Sequence, residues 1–281
     1  MVDKIRFIVL IDFSPYSQTI AELGKRWSQI AGAELLLLHQ SVPVIPAMSD
    51  REIRAEIAEN EKEEALEKLR QISEAQFPGN GHLQLLVSEK EIPDQLQELR
   101  TDTIVDYIFL GIKGTGFLKK IFIGSTANTV INSAAGITVA VPSKLCTGLE
   151  NFCNLIPENI IVAINDRFVL NETAFRHFTE TFRETIRRIQ FISIIENDDA
   201  ENESLEYLEE LRLKFQNSPE IKCQVSKGSD VLEELKTIVC AQANTVLVVQ
   251  KGSRALSDQL FRKYLINQLI DDASLPLVVL P

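Results

Sequence analysis

The residues best suited to chemistry in this chain are Gly111-Ile-Lys-Gly114-Thr-Gly116-Phe-Leu-Lys-Lys-Ile-Phe-Ile-Gly124-Ser125-Thr126. Glycines let backbone N–H groups approach an anion closely. A Ser-Thr pair at a helix start adds hydroxyls to unpaired N–H groups and a partial positive charge. Together these are the requirements for holding a phosphate. An ordinary loop could carry the same glycines with no ligand at all. A second candidate is Asp12, at the end of the apolar run Phe7–Ile11 and followed by Phe13-Ser14-Pro15. Its carboxylate could cap a strand end or accept a hydrogen bond from a ligand. Ser14 before Pro15 predicts a helix N-cap followed by the first helical position.

The surrounding elements must bring these two features together. Phe7–Ile11, Leu35–Leu38, Ile104–Leu110 and Ile137–Val141 are continuous apolar runs, as expected of strands buried on both faces. Leu83, Leu85 and Val87 alternate with polar residues and predict a half-exposed strand. Between the strands, Ile20, Leu23, Trp27 and Ile30 recur at helical spacing, which makes Trp27 a core residue. Ser49-Asp50-Arg51-Glu52 resembles a capping box ahead of a long charged helix reaching about Ala75. Ile92–Leu99 predicts a short helix, and another follows over about 126–135. Alternating strands and helices imply a mainly parallel sheet flanked by helices. In such a sheet, ligands bind beyond the carboxyl ends of the strands where strand order reverses. If the first and fourth strands are neighbours there, Asp12 and the glycine stretch share one crevice.

The pattern then restarts. Residues 143–157 read as a linker, and strands are predicted at Asn159–Ile164, Phe191–Ile195, Ile221–Val225, Thr245–Val249 and Leu277–Leu280. Helices fall at about 170–188, 201–216, 230–241 and 258–272. An offset of 139 residues lays Pro281 on Pro142 without a gap. This is an internal duplication, with one domain over residues 1–143, a linker over 144–157 and a second domain over 158–281. The fold expected is therefore two tandem doubly wound α/β domains.

Composition narrows the function classes. The chain has 281 residues, 45% hydrophobic and 25% charged, as expected for a folded chain with a sizeable core. A net charge of −11 argues against nucleic acid or an anionic membrane as the main partner. No apolar run approaches a membrane span, and the N-terminus lacks a signal-peptide layout, so a cytoplasmic location is expected. Cys146, Cys153, Cys223 and Cys240 show no C-x-x-C spacing. A Cys146–Cys153 disulfide is not expected in a reducing compartment. His39, His82 and His177 are scattered, and no metal site is expected.

The sequence resembles the universal stress proteins in their tandem two-domain form. That family carries Asp-x-Ser after the first strand and Gly-x2-Gly-x9-Gly-(Ser/Thr) after the fourth. Here these are Asp12-Phe13-Ser14 and Gly111-x2-Gly114-x9-Gly124-Ser125. The resemblance implies strand order 3-2-1-4-5, pairing of domains through their last strands, and binding of ATP, with or without Mg2+. Pairing of Ile137–Val141 with Leu277–Leu280 could be met within one chain, leaving homodimerisation open. Carried over, Asp12 would contact the adenine, and Gln40 at the end of the second strand would lie beside the base. Gln40 departs from the small apolar residue commoner there. Gly111 and Gly114 would admit ribose and phosphates, while Gly124, Ser125 and Thr126 would bind phosphate. The second half departs further, with Gln250, Ser253, Lys263 and Tyr264 standing where the first has Gly111, Gly114, Gly124 and Ser125. Asn165 stands roughly where Asp12 does. One nucleotide site per chain is expected.

Three function classes follow. The leading one is an ATP-binding regulatory protein whose partners read its conformation. A slow ATPase or adenylate-handling enzyme is the second, although no catalytic base is marked and no Gly-Lys-Ser/Thr P-loop is present. The third is a nucleotide-free interaction protein with a vestigial motif. Lys113, Lys119 and Lys120 read as solvated or phosphate-facing. The acidic stretch Glu56–Glu67 reads as a solvated helix face or a partner surface.

Overall fold

β-Branched and leucine-rich runs bounded by amphipathic stretches leave the chain one economical arrangement, strands side by side with helices packed over them. A computed structural model shows that arrangement. It describes residues 4–48, 50–77, 83–112, 125–142, 155–164, 169–195, 201–216, 220–227, 244–251 and 276–281. Two compact units are formed, Met1–Leu110 and Gly111–Pro281.

The first unit runs β1 (Lys4–Leu10), α1 (Ser17–Ala31), β2 (Glu34–Gln40), α2 (Arg51–Gln76), β3 (Leu83–Ser88), α3 (Ile92–Leu99) and β4 (Ile104–Ile112). Its strands lie in the order β3-β2-β1-β4, all parallel. Right-handed crossovers place α1 and α2 on one face, where they pack together, and direct α3 to the other. Trp27 is fully buried, its ring meeting Phe109 edge-on at 5.4 Å. Gly24 lets α1 approach β1, because a Cβ there would sit 2.6 Å from Val9 Cγ2.

One polar pair lies inside this apolar sheet. Arg6 and Asp106 are both 8% exposed and face each other across β1 and β4. Arg6 Nε donates to Asp106 Oδ1 at 2.8 Å and Nη2 to Oδ2 at 3.1 Å, while Nη2 also reaches the Leu99 carbonyl at 2.7 Å. Slipping the register by one residue would send these charges to opposite faces, uncompensated. The pair therefore holds β1 against β4 at a constant offset, Lys4 with Ile104 through Val9 with Phe109.

The second unit contains α4 (Ser125–Ser133), β5 (Ile137–Pro142), β6 (Asn159–Ile164), α5 (Glu172–Thr181), β7 (Arg188–Ile195), α6 (Glu201–Lys214), β8 (Ile221–Lys227), β9 (Thr245–Gln250) and β10 (Leu277–Leu280). Its strands lie in the order β5-β10-β9-β6-β7-β8. From β8 to β10 this is 3-2-1-4-5, the doubly wound order expected for the repeat. β5 joins antiparallel to β10, Leu277 opposite Ala140 and Val279 opposite Thr138. The final strands of the two repeats thus pair within one chain. β5 thus falls within the second compact unit.

Three local expectations are corrected. α1 begins at Ser17, not Ser14: one tight turn precedes it, in which the Ser14 carbonyl accepts the Ser17 N–H at 2.9 Å. Ser14 heads that turn with its carbonyl, and its hydroxyl does not cap the helix. α2 is capped by Asp50, whose Oδ1 accepts the Ile53 N–H at 2.9 Å. α5 stops at Thr181, well short of 188, because Phe182–Ile186 form tight turns. The Arg187 and Arg188 amides then both bond to the Glu158 carbonyl, drawing the chain into β7 early. The helices expected over 230–241 and 258–272 lie outside the described residues, as do Cys146, Cys153 and Cys240. Cys223 is a free, half-buried thiol.

Candidate functional site at the carboxyl end of the first repeat

Leaving β1 at Ile11, the chain must turn sharply to start α1 over the sheet. Asp12 makes that turn. Its Oδ1 accepts the Ser14 N–H at 3.0 Å and the Ser17 hydroxyl at 2.7 Å. Ser17 Oγ in turn accepts the Asp12 N–H at 3.2 Å. A short polar side chain bonding to backbone two residues on is what aspartate does at such turns. The carboxylate remains exposed while its orientation is fixed by a serine only 1% exposed. The turn forces Phe13 to φ 57°, a left-handed conformation that costs a bulky residue about 1–2 kcal/mol.

The strain at Phe13 goes with a contact that sequence reading missed. The Phe13 ring lies 4.2 Å from the His39 ring, with the Lys68 ammonium 5.7 Å above its face. His39 Nδ1 is 2.7 Å from the Ile11 carbonyl. A carbonyl only accepts, so Nδ1 carries the proton. Burial pushes the His39 pKa below its ordinary 6.5; Lys68 adds to this, while the Ile11 bond and Asp12 oppose it. The imidazole is therefore neutral at pH 7. Nothing in the spacing of His39 marked it, because the β1–β2 register alone brings it beside the turn.

Gln40 ends β2, half-buried and level with Ser88 of β3. The next amide, Ser41 N–H, bonds to the Ser88 carbonyl at 2.8 Å. Gly111 lies at the carboxyl end of β4. Ser125 and Thr126 form the first turn of α4, with Thr126 exposed. Gly114, Gly124, the intervening loop with Lys113, Lys119 and Lys120, and the Ser125 side chain lie outside the described residues. Among the described residues, Asp12, His39 and Gln40 gather at the carboxyl ends of the central strands.

The position corresponding to Gly111 in the second repeat carries a side chain bonded within the protein. Gln250, which stands for Gly111, ends β9 and is 9% exposed. Its Oε1 accepts the Asn171 N–H at 2.8 Å and its Nε2 donates to the Pro281 carbonyl at 2.9 Å. Asn171 caps α5 through Oδ1 and also donates from Nδ2 to Pro281 O at 3.0 Å. Lys251 N–H bonds to Leu280 O, and its ammonium reaches the Ala134 carbonyl at 3.0 Å, with its pKa lowered by burial. These side chains tie β9, β10 and the start of α5 together. Asn165, Ser253, Lys263 and Tyr264 lie outside the described residues.

Comparison with known proteins agrees with this architecture. Residues 5–142 match the model of the universal stress protein family. No curated protein matches the sequence. A universal stress protein from Archaeoglobus fulgidus DSM 4304 superposes with a TM-score of 0.61 at 16% identity, covering 98% of this chain and 97% of that one. The cytoplasmic domain of a prokaryotic cation chloride cotransporter superposes with a TM-score of 0.52 at 12% identity, covering 98% and 95% respectively. At such identities the superpositions establish the fold alone. Among the described residues, no helix is long and apolar enough to cross a membrane. Residues 5–142, which carry both the sequence match and the 3-2-1-4 core of the doubly wound sheet, form a domain of the universal stress protein family.

Proposed function

We propose that this protein binds one ATP per chain, in its first repeat, and that occupancy sets a conformation or domain pairing that other proteins read. The repeats proposed are residues 1–143 and 158–281. The observation that carries the reading is the switch point at β1. Its neighbours β2 and β4 lie on opposite sides, and in doubly wound sheets such a reversal of strand order marks the place where ligands bind, at the carboxyl ends. An exposed carboxylate with a fixed orientation, Asp12, stands there. It suits an exocyclic amine such as that of adenine.

Support also comes from the contrast between repeats. Where the second repeat places Gln250 and uses it to join three segments, the first has Gly111. The residues described in the first repeat fit the base end of a nucleotide. The phosphate end is assigned to Gly114, Gly124, Ser125 and Thr126 from the motif. A bound triphosphate would supply negative charge for backbone N–H groups at that loop and helix start. Hydrolysis is not part of the proposal, since the motif marks no general base.

Thermal unfolding with and without ATP tests this. A ligand at about a hundred times its Kd stabilises by about 2.7 kcal/mol, or roughly 5–10 °C for a domain of this size. Gly124→Val should abolish the shift. ATP turnover above background that is lost in Ser125→Ala would point to an enzyme instead. No shift at millimolar ATP would point to a vestigial motif.

A further inference from the structure

One hydroxyl of the Asp12-Phe13-Ser14 motif has no task in the turn it belongs to. Ser17 begins α1, and its side chain is the one that donates to Asp12 Oδ1. Ser14 uses both of its backbone groups locally, the N–H toward Asp12 Oδ1 at 3.0 Å and the carbonyl toward the Ser17 N–H at 2.9 Å. Its Oγ is closed off from solvent and has no hydrogen-bond partner among the described residues. Such an oxygen has lost water without gaining a replacement, which works against folding. Native structures hold few of them. Asn244 Oδ1 is the other one among the described residues, and that asparagine sits in a left-handed backbone, φ 54°, which its residue type tolerates. Ser14 is not in that conformation.

The second repeat lacks this hydroxyl. Asn165-Asp166-Arg167 stands roughly where Asp12-Phe13-Ser14 does, in the repeat that has also lost the glycines. The serine therefore goes with the ligand motif and not with the fold. Its chemistry names the ligand group. An ionised aspartate only accepts hydrogen bonds, whereas a serine hydroxyl can donate one. Asp12 and Ser14 are joined by a 3.0 Å bond, so their side chains address one small group. Adenine presents the complementary pair side by side, an amine that donates and a ring nitrogen that accepts. Guanine has an oxygen in place of that amine, facing the carboxylate. Ser14 as a residue is partly exposed, and one step between staggered χ1 positions moves its hydroxyl out of the buried position. We infer that the Ser14 hydroxyl reads the base, donating to a ring nitrogen of adenine next to the amine that Asp12 accepts. This rests on the nucleotide reading above and adds base selection to it.

The test is isothermal titration of the full chain with ATP, 7-deaza-ATP and 1-deaza-ATP, each analogue lacking one ring nitrogen beside the amine. Ser14→Ala should bind ATP about three- to tenfold more weakly, the share of one hydrogen bond. It should match the wild type on one analogue, the one whose missing nitrogen is the partner of the hydroxyl. Ser14→Thr keeps the hydroxyl and should keep most of the affinity. Without nucleotide, Ser14→Ala should melt at or above the wild-type temperature, because an unbonded buried hydroxyl has been removed; a capping or turn role would lower it. Equal ATP affinity in Ser14→Ala, equal loss on ATP and both analogues, or a lowered melting temperature of the free variant overturns the inference and leaves the nucleotide site standing. A wild-type chain that binds no ATP at millimolar concentration removes the nucleotide reading and this inference together.

Discussion

Replacing Gln250 by glycine, so that the second repeat regains the residue type of Gly111, separates the structural role of this position from its ligand role. The side chain makes two good bonds in a site 9% exposed. Removing it strands the Asn171 N–H, which costs about 1–3 kcal/mol for a buried unsatisfied donor. The Pro281 carbonyl loses one of two donors but keeps Asn171 Nδ2, so its share is about 0.5–1.5 kcal/mol. Glycine within a strand adds about 0.5–1 kcal/mol of chain entropy. The expected destabilisation is about 2–5 kcal/mol, read as a lower guanidinium midpoint by far-ultraviolet circular dichroism. Fluorescence of Trp27, the only tryptophan, shows separately whether the first unit follows. ATP stoichiometry should not rise, because Ser253, Lys263 and Tyr264 remain. A loss below about 0.5 kcal/mol, the range of an ordinary surface substitution, would refute the view that this side chain joins β9, β10 and α5. A second ATP site would refute the view that the repeat has lost its site.

Asp106→Ala leaves Arg6 buried without its partner and should cost about 3–5 kcal/mol in urea unfolding, while Arg6→Met/Asp106→Leu should recover most of that loss. Gly24→Ala gains helix propensity but forces a Cβ onto Val9, and the overpacking cost of about 1–3 kcal/mol should dominate; an unchanged or raised melting temperature would argue that α1 can shift. His39 has a folded-state pKa below its unfolded value, so the unfolded chain takes up the proton first as pH falls. Its contribution to stability is intact above about 6.5 and declines as pH drops from there toward the folded value. Nuclear magnetic resonance should show the His39 ring titrating below 6.5, and a midpoint at or above that would contradict the packing against Phe13.

The strands were legible because their apolar runs are long and uninterrupted. β1, β2, β4 and β5 lie where the residue types put them, and the strand order of the second repeat is the one that the resemblance to the universal stress proteins implied. Pairing across the turn at Asp12 was not legible. Asp-x-Ser marks a ligand motif and a turn alike, and only the fold shows Asp12 bonding to Ser17 rather than leaving Ser14 to cap α1. Arg6 and Asp106 are 100 residues apart and join only through sheet register. His39 was equally silent, its role set by parallel pairing of β1 with β2. Gln250 was readable as the loss of a glycine but not as a joint, since its partners Asn171 and Pro281 lie far away in sequence.

The central claim is one nucleotide per chain in the first repeat. Isothermal titration of the full chain with ATP tests it most directly, alongside Gly114→Val and Gly124→Val. A stoichiometry of one that falls to zero in either variant is the predicted result. Two equivalent sites, no binding at millimolar ATP, or binding that survives both substitutions would contradict it.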